Sequence, residues 1–588
     1  MPKAEATVEE LVSMVERGEL RLPEMQRQYV WKAPRVRDLL DSLYRGYPSG
    51  AILIWETDES VPIRDFAVAQ QLNPYQTTKL LLDGQQRLTS LSAVLRAEPI
   101  KVRGRKRDIE LLFNLEHPDQ LTLVTETADE YETEEDLDTE GDIETDDDAD
   151  EETPDASEDE LQRRFNQMTF LVSTKKIEAL PTWVKVSDVF RTQDNGPFLK
   201  KAGLTSFDDP RCEKYTQRLN KLRGIRKYVY RMDILERTLS YEEVTEIFVR
   251  VNSLGAKLRS SDLAMAQITA KWRESLKVFE SFQEECADWG FDMDLGIHVK
   301  NLVAHTTGQS RFHTVSRLPV EQLQEGWIEA KEGIQFAINF LKSNVGIDSP
   351  ALLSSEFLLI ALGYLGHSKK YHLSAAEEAQ LRYWVLTANT KGRYSRGSSE
   401  TILDQDLSRI RQDGNVAGLI DTLQLQFGRL DIVPGELESR NARSAFFKTM
   451  FLAFRKDGAR DWISNLAISL SHAGKQHKLQ FHHIFPRAVL RDLYRPHLIN
   501  DIANLAFIGG KTNRRISSKA PSEYLPGVVE KQGVKALESQ CIPTDPELWK
   551  VENYLDFVNQ RRALIAARLN EFLKQGSIPT NSSTSTNP

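Results

Sequence analysis

The stretch that decides the C-terminal fold runs from 479 to 525 and reads LQFHHIFPRAVL (479–490), NDIANLAFIGG (500–510) and KTNRRISSKAPSEYL (511–525). Two apolar runs, one ending at the paired histidines and one at 505–508, predict two short strands. Gly509 and Gly510 mark a turn, and the polar segment after them predicts a helix. The predicted order is therefore strand, loop, strand, helix.

Histidine and asparagine side chains fall at the ends of these elements: His482 and His483, then Asn504, then Asn513. One-metal cleavage of a phosphodiester needs a base for water, ligands for a cation that stabilises phosphoryl charge, and a residue that orients the base. This set supplies all three. A histidine pair alone would indicate a surface loop or a buried pair, but the additional residues in register favour a hydrolytic site.

The same stretch resembles the HNH-type nuclease domain called DUF1524, which has a ββα-metal fold. The resemblance implies that His483 is the general base, that Asn504 orients it, and that His482 and Asn513 hold one divalent metal. Lys519 matches a lysine of that family that would contact phosphate. Asparagine replaces the histidine that most HNH proteins have as last ligand, and an oxygen donor favours Mg²⁺ or Mn²⁺ over Zn²⁺.

A second informative region lies in the first hundred residues, in LRLPEMQRQYVWKAPRVRDLLDSLYRGYPSGAILIWE (20–56) and KLLLDGQQRLTSLSAVL (79–95). Pro34 and the apolar spacing after it predict a helix, and 51–55 predict a buried strand. The second segment predicts a strand, the turn 83–87 and another helix. A glycine, a helix N-terminus and an arginine at this turn would make a phosphate cradle, although a strand–DG–helix turn by itself is common.

These motifs resemble the DUF262 family, whose N-terminal domain is similar to ParB and sulfiredoxin. The resemblance implies that the region binds and hydrolyses a nucleoside triphosphate, with GTP favoured over ATP. A later segment resembles a second signature of that family and would complete the site, although helix-stop chemistry alone explains its asparagine. The implied nucleotide-binding residues are Gln26, Arg27, Asp83, Gly84, Gln85, Gln86, Arg87, Arg250 and Asn252.

Charge is unevenly distributed along the 588 residues. The net charge is −10, but residues 126–160 contain 21 Asp or Glu and no Lys or Arg, so the rest of the chain carries +11. A basic body suits a polyanionic partner. The acidic segment is predicted to be a disordered, solvated insertion. A DNA mimic that occupies the basic groove is the alternative.

The cysteine content and the lack of targeting signals limit the classes of protein to which the chain can belong. The three cysteines are far apart and form no CxxC pair, which argues against a disulfide framework and a cysteine-rich zinc site. The sequence predicts neither a signal peptide nor a membrane span, and we expect a cytoplasmic protein that has no membrane partner. A basic–aromatic cluster at 382–396 could follow DNA, although a helix end packed on a core is the commoner explanation.

The predicted fold class is a multidomain α+β protein with a ParB/sulfiredoxin-like N-terminal domain, a helical middle region and a C-terminal ββα-metal HNH nuclease domain. The predicted boundaries are 1–235, 236–430 and 431–573, followed by a disordered tail at 574–588.

The combination resembles the GmrSD-type restriction enzymes, which implies a modification-dependent DNA endonuclease of phage defence. Its implied partners are modified phage DNA and a nucleoside triphosphate, and it is a possible homo-oligomer. Two alternatives stay open: a non-catalytic, ParB-like nucleotide switch that binds DNA, and a nuclease or toxin directed at RNA.

Overall fold

The computed structural model of the chain describes residues 3–26, 29, 31, 33–57, 61–64, 66–70, 78–97, 109–118, 167–204, 206, 208–254, 259–395, 397–469 and 479–575. The acidic segment 126–160 lies outside these residues, as does almost all of the predicted tail. Within them the chain forms two compact units, divided between Val278 and Phe279. The predicted boundaries after 235 and 430 do not coincide with this division.

The first unit contains a mixed six-stranded sheet in the order β1-β9-β3-β5-β2-β4. β3 pairs parallel with β9, β2 pairs parallel with β5, and the other neighbours are antiparallel. A separate antiparallel sheet has the order β7-β6-β8. The strands are β1 Lys3–Thr7, β2 Leu20–Pro23, β3 Ile52–Thr57, β4 Ile63–Arg64, β5 Thr78–Asp83, β6 Leu111–Asn114, β7 Phe170–Val172, β8 Trp183–Lys185 and β9 Val229–Leu235.

Helices accompany the sheets of the first unit, and the last of them crosses the division between the units. They are α1 Val8–Glu16, α2 Ala33–Arg45, α3 Gln85–Arg96, α4 Lys175–Glu178, α5 Val186–Arg191, α6 Gly196–Lys201, α7 Pro210–Arg223, α8 Tyr241–Leu254, α9 Ser260–Lys271 and α10 Ser275–Asp288.

Successive residues of β3 point to opposite faces of the main sheet, as the pleat requires. Ile52 and Ile54 join the larger apolar core, which includes α1, α2 and α3. Leu53 and Trp55 join a second cluster with Tyr241 and other residues of α8 and α9. The helices that directly follow residue 235 therefore cover one face of the sheet, and the chain as far as Val278 lies in the first unit.

The second unit is mostly helical before residue 457. Its helices there are α11 Leu295–Thr307, α12 Val320–Phe340, α13 Phe357–Ser368, α14 Ala375–Lys391, α15 Ser399–Asp413, α16 Val416–Phe427 and α17 Ala445–Lys456. Gly333 of α12 and Gly363 of α13 lie against each other, and a Cβ on Gly363 would be 2.7 Å from the Gly333 carbonyl oxygen. These glycines let the two helix backbones approach closely.

The basic–aromatic cluster of this unit is directed inward. The Arg393 guanidinium donates two hydrogen bonds of 2.6 Å to Asp406, and the Tyr394 hydroxyl donates a third at 2.7 Å. Lys391 pairs with Glu436 at 2.9 Å, and all of these side chains except Glu436 are buried. The structure therefore favours a helix end packed on a core, because these charges are neutralised within the protein. Arg396 lies outside the described residues.

The C-terminal part of the second unit contains a two-stranded antiparallel sheet with small helices around it. Its elements are β10 Leu479–His483, α18 Arg487–Leu490, α19 Pro496–Ile499, β11 Leu505–Gly509, α20 Gly510–Ile516, α21 Pro521–Gln532, α22 Lys535–Glu538 and α23 Tyr554–Lys574. The architecture is thus mixed α+β, with the larger sheet in the N-terminal unit. In the described parts of the chain, no helix is both long enough and apolar enough to cross a membrane.

Candidate functional site

The predicted strand–loop–strand–helix order is present around the paired histidines. β10 and β11 are antiparallel, with His482 opposite Ala506 and His483 opposite Leu505. The α20 helix begins at Gly510, immediately after β11, so the glycine pair joins strand to helix without an intervening loop. This geometry places the end of β10 and the first turns of α20 in one compact element.

His483 is partly exposed, and its Nε2 atom lies 3.0 Å from Oδ1 of Asn500. The Arg487 guanidinium donates to the same Asn500 oxygen from Nε at 3.2 Å and from a terminal nitrogen at 3.0 Å. Burial, helped by the positive charge of Arg487, lowers the pKa of His483 to about 4. The imidazole is therefore neutral at neutral pH, which is the form that accepts a proton.

Asn504 is fully buried and spans the loop between the strands. Its Oδ1 accepts a hydrogen bond of 2.8 Å from the Phe485 backbone N–H, and its Nδ2 donates to the carbonyls of Phe485 and Ile499. The expected direct contact with His483 is not among these bonds. Asn504 holds the two ends of the loop together, and the side chain that meets His483 is Asn500.

His482 is buried beside Asn513 of α20, and the two side chains share a hydrogen bond. Burial lowers the pKa of His482 to about 4 and outweighs that bond, which acts in the opposite direction. Its Nε2 atom is buried without a hydrogen-bond partner in the described part of the chain. A lone pair left unpaired in this way is costly unless a ligand takes it, so His482 and Asn513 fit a bound cation.

The cation would depend on these two donors together with groups from outside the protein. Among the described residues, no group of three or more His, Cys, Asp or Glu side chains could hold a metal ion. Mg²⁺ is commonly bound through one or two protein ligands with water and substrate phosphate oxygens completing its coordination. The sparse donor set is therefore consistent with a cation that shares its coordination with a phosphate.

Asp461 anchors the junction of β11 and α20 from outside the motif. Its carboxylate accepts hydrogen bonds from the Thr512 hydroxyl at 2.6 Å, the Gly509 N–H at 2.7 Å and both the N–H and hydroxyl of Ser464. Burial acts to raise the pKa of Asp461, but these hydrogen bonds lower it overall. The charge fixes the first turn of the helix that carries Asn513.

Gln540 and the C-terminal helix hold the other sides of the element. The Gln540 amide exchanges two hydrogen bonds with the backbone of Phe507 and so satisfies the outer edge of β11. From α23, Arg561 donates to the Ala503 carbonyl at 2.8 Å, and Arg562 pairs with buried Asp501 at 2.6 Å. The tyrosine that begins α23 donates to the Leu498 carbonyl at 2.7 Å.

A set of positive charges, here called the cationic surface, lies in the segment between β10 and β11 and on or just after α20. Residues 479–520 contain seven Lys or Arg but only two acidic residues, one of which is the buried Asp501. All seven cations are exposed, and none forms an ion pair with another residue in the described ranges. The cationic surface consists of Arg487, Arg491, Arg495, Lys511, Arg514, Arg515 and Lys519.

The predicted nucleotide turn joins β5 to α3 in the first unit. Gly84 lies between the strand and the helix and has φ +103°. Because glycine has no side chain, it cannot cap the first N–H groups of α3 with a side-chain hydrogen bond. Asp83 is 40% exposed, whereas Arg87 is only 13% exposed. The Arg87 guanidinium donates to the carbonyls of Ser49 and Ala51 at 2.6 and 2.8 Å and to Asp83 at 2.9 Å. The Arg87 guanidinium therefore connects the turn at 49–51 with the turn at 83–87.

The remaining residues that are predicted to bind nucleotide differ in their burial and in their hydrogen-bond partners. Gln26 is buried and donates to the carbonyls of Leu81 and Leu82 in β5, while Gln86 accepts from the Trp31 N–H. Gln85 is also buried at the start of α3. Arg250 is exposed on α8 and pairs with Glu246 one turn earlier. Arg27 and the side chain of Asn252 lie outside the described part of the structure.

Two residues at the candidate site carried no signal in the sequence. Asn500 lies in an irregular loop, and Asp461 is 52 positions before Asn513. Only the proximity of Asn500 to a second asparagine, Asn504, in NDIANL could have drawn attention to it. Side chains that act through contacts distant in sequence leave no periodic pattern.

Comparison with known proteins agrees with the motifs of the first unit. A relative in Methanocaldococcus jannaschii, described as uncharacterized protein MJ0686, is 23% identical over an alignment that covers 97% of this chain and 94% of that protein. The likeness to it therefore extends through both units. Residues 8–269, which include the predicted nucleotide turn, helix α8 and most of α9, match the model of the N-terminal domain of GmrSD restriction endonuclease.

Proposed function

We propose that this protein is a DNA endonuclease whose β10–β11–α20 element cleaves phosphodiester bonds with one divalent metal. The observation that carries the proposal is that neutral His483 and the buried His482–Asn513 pair lie on one strand–strand–helix element, whose segment 479–520 also carries seven exposed cations without acidic partners among the described residues. Cations without acidic partners suit the phosphate backbone of a nucleic acid. The match of the first unit to a restriction endonuclease domain favours DNA as the substrate.

In the proposed mechanism, His483 accepts a proton from the water that attacks phosphorus. The water oxygen forms the new P–O bond while the bond to the leaving 3′ or 5′ oxygen breaks. His482 and Asn513 would hold Mg²⁺ or Mn²⁺, which supplies neutralisation of charge on the non-bridging and leaving oxygens. Lys519 and the rest of the cationic surface hold the phosphates on either side. Asn504 contributes by keeping the loop closed.

The first unit is proposed to bind and hydrolyse a nucleoside triphosphate, with GTP favoured over ATP. A helix N-terminus such as the start of α3 attracts phosphate oxygens, and exposed Asp83 suits a Mg²⁺-bound nucleotide. The internal contacts of Arg87 make it a support for this turn. The likeness to GmrSD further supports a role in phage defence, in which hydrolysis controls cleavage of modified DNA.

The test is cleavage of matched plain, base-glucosylated and phosphorothioate DNA with Mg²⁺ or Mn²⁺, with and without GTP. We expect His483→Ala to abolish cleavage, a loss of roughly 100-fold or more for removal of a general base, and to keep DNA affinity within about twofold. His497→Ala is the matched control, because His497 is exposed on α19, in the segment between β10 and β11. It should cut like the wild type.

Other outcomes distinguish the competing functions. Binding without cleavage of every DNA and RNA substrate would favour a non-catalytic nucleotide switch. Cleavage confined to RNA would favour a nuclease or toxin acting on RNA. Equal loss of binding and cleavage in His483→Ala would remove His483 from the role of base.

A further inference from the structure

The contacts around Asn500 show which atom donates and which accepts in its hydrogen bond with His483. Oδ1 of Asn500 lies 3.0 Å from His483 Nε2 and also receives Nε and a terminal nitrogen of Arg487. A guanidinium only donates hydrogen bonds, so the Asn500 atom that faces it is an oxygen and not the amide nitrogen. Arg487 thereby fixes which way the Asn500 side chain is turned.

The orientation of Asn500 in turn determines the proton position on His483. An amide oxygen accepts, so the Nε2 atom that faces it carries the hydrogen. A neutral imidazole has one N–H, and the second nitrogen therefore holds a lone pair. The Nδ1 atom is the one that remains able to accept a proton from water.

Asn504 cannot replace Asn500 in this contact. Both hydrogens of its Nδ2 group are donated to the carbonyls of Phe485 and Ile499, and its oxygen accepts from the Phe485 N–H. All of these partners are backbone groups of the loop. The two asparagines thus divide two tasks, with Asn504 closing the loop and Asn500 facing the imidazole.

We propose that Asn500, locked by Arg487, is the positioning residue that holds His483 with Nε2 protonated and presents Nδ1 as the proton acceptor. This inference rests on the proposed nuclease function and adds the residues that prepare its base. Arg487 acts through Asn500, and its second terminal nitrogen makes no hydrogen bond to any described residue. Neither residue is one of the proposed metal ligands, which are His482 and Asn513.

The decisive comparison uses Asn500→Leu, which keeps the size but removes the acceptor, and Asn500→Asp, which keeps an acceptor oxygen. We expect Asn500→Leu to lower the single-turnover cleavage rate constant about 10- to 100-fold, as loss of an orienting partner does elsewhere. DNA and Mn²⁺ dissociation constants should change less than about twofold. Asn500→Asp should restore the rate to within about fivefold of the wild type.

Two controls separate positioning from folding. Gln412→Leu, an exposed amide on α15, should change neither rate nor unfolding temperature. Asn504→Ala should lower the unfolding temperature as well as the rate, because it breaks the loop. Equal rates for Asn500→Leu and the wild type, or a fall in DNA affinity as large as the fall in rate, would overturn the inference.

A tautomer measurement tests the inference without relying on activity. In ¹⁵N-histidine-labelled full-length protein, with the His483 signals assigned by difference from His483→Ala, the wild type should show hydrogen on Nε2 alone. Asn500→Leu should show a mixture of both tautomers. Hydrogen on Nδ1 in the wild type would overturn the inference even if the protein is a nuclease. Failure of the wild type to cut any substrate, with the Nε2 tautomer intact, would count against the proposed function and not against the positioning contact.

Discussion

Arg87 illustrates how a residue that its type singles out can have partners that the sequence does not reveal. Its place in DGQQR suggested a charge directed at phosphate. In the structure its guanidinium bonds the carbonyls of Ser49 and Ala51, and the Cβ that any other residue would have at Gly50 would be 2.6 Å from it. The turn before β3 and the turn before α3 are therefore built as one unit.

Asp83 and Arg87 should consequently fail in different ways when they are changed. Asp83→Asn is expected to remove nucleoside triphosphate hydrolysis while leaving the turn intact. Arg87→Ala is expected to remove hydrolysis and to cost about 2 kcal/mol, because two carbonyls lose their donor. Amide hydrogen exchange at 49–51, measured beside hydrolysis, should rise only in Arg87→Ala. Normal hydrolysis in both variants would refute a nucleotide site at this turn.

The sequence predicts the residue types at the candidate site more successfully than their contacts. His482 and Asn513 share a hydrogen bond, His483 follows on the same strand, and the roles of all three stay predictions. The contact of Asn500 with His483 depends on the path of an irregular loop, and no local pattern encodes that path. The same limit applies to Asp461, whose partners lie about fifty residues later.

At the scale of elements, local signals were sufficient for much of the secondary structure. The apolar spacing predicted α2, and its Val36, Leu39, Leu40 and Leu43 are buried. A capping box, which is a local sequence signal, is present at the start of α8, with Ser240 and Glu243 exchanging hydrogen bonds. The sequence does not predict that Gln540 satisfies the backbone groups at the outer edge of β11. A single side chain takes the place of a neighbouring strand there, and it leaves no pattern in the sequence.

The crossing of α12 and α13 gives a prediction at this scale. A Cβ at Gly363 would meet the backbone of Gly333, which cannot move aside as a side chain can. Gly363→Ala should lower the free energy of unfolding by about 1–3 kcal/mol, as overpacking does in other cores. This change in free energy can be measured by denaturant unfolding that is followed with a spectroscopic signal from the second unit.

Gly527 of α21 is the matched control for that substitution. It is also helical, but no atom lies within 4 Å of the position its Cβ would take. Gly527→Ala should be neutral or stabilise the protein by up to about 1 kcal/mol, since alanine is the better helix former. Similar destabilisation by both substitutions would mean that helix contact at Gly363 is looser than the structure shows.

At the scale of the whole molecule, the sequence predicts three regions and a tail, and the described residues form two compact units. The predicted helical region begins at residue 236, and its first helices cover an apolar face of the main sheet. Burial of that face requires them, and composition alone does not reveal which surface a helix covers. The distribution of charge says more about the partner of the protein than the net charge does. When the acidic segment 126–160 is left out of the count, the rest of the chain is basic.

Neutralisation of part of the cationic surface should change the salt dependence of DNA binding. Each lost phosphate contact lowers the steepness of log K against log salt by about 0.9. The triple substitution Arg491→Gln, Arg495→Gln, Arg515→Gln should therefore reduce that slope by about 2.7. Lys550→Gln is the control, because Lys550 is already paired with Glu547 at 2.7 Å. An unchanged slope in the triple variant would place the DNA elsewhere.

The supports that α23 gives to the hairpin loop have a consequence for the time at which the protein becomes active. Tyr554, Arg561 and Arg562 hold the loop that carries Asn500 and Asn504, yet they follow it by some fifty residues. During synthesis, a chain that has already exposed both histidines to solvent still lacks these anchors. We expect the loop to settle only when α23 has left the ribosome, so that under the proposed nuclease function an incomplete chain would not cut the DNA of the cell that makes it.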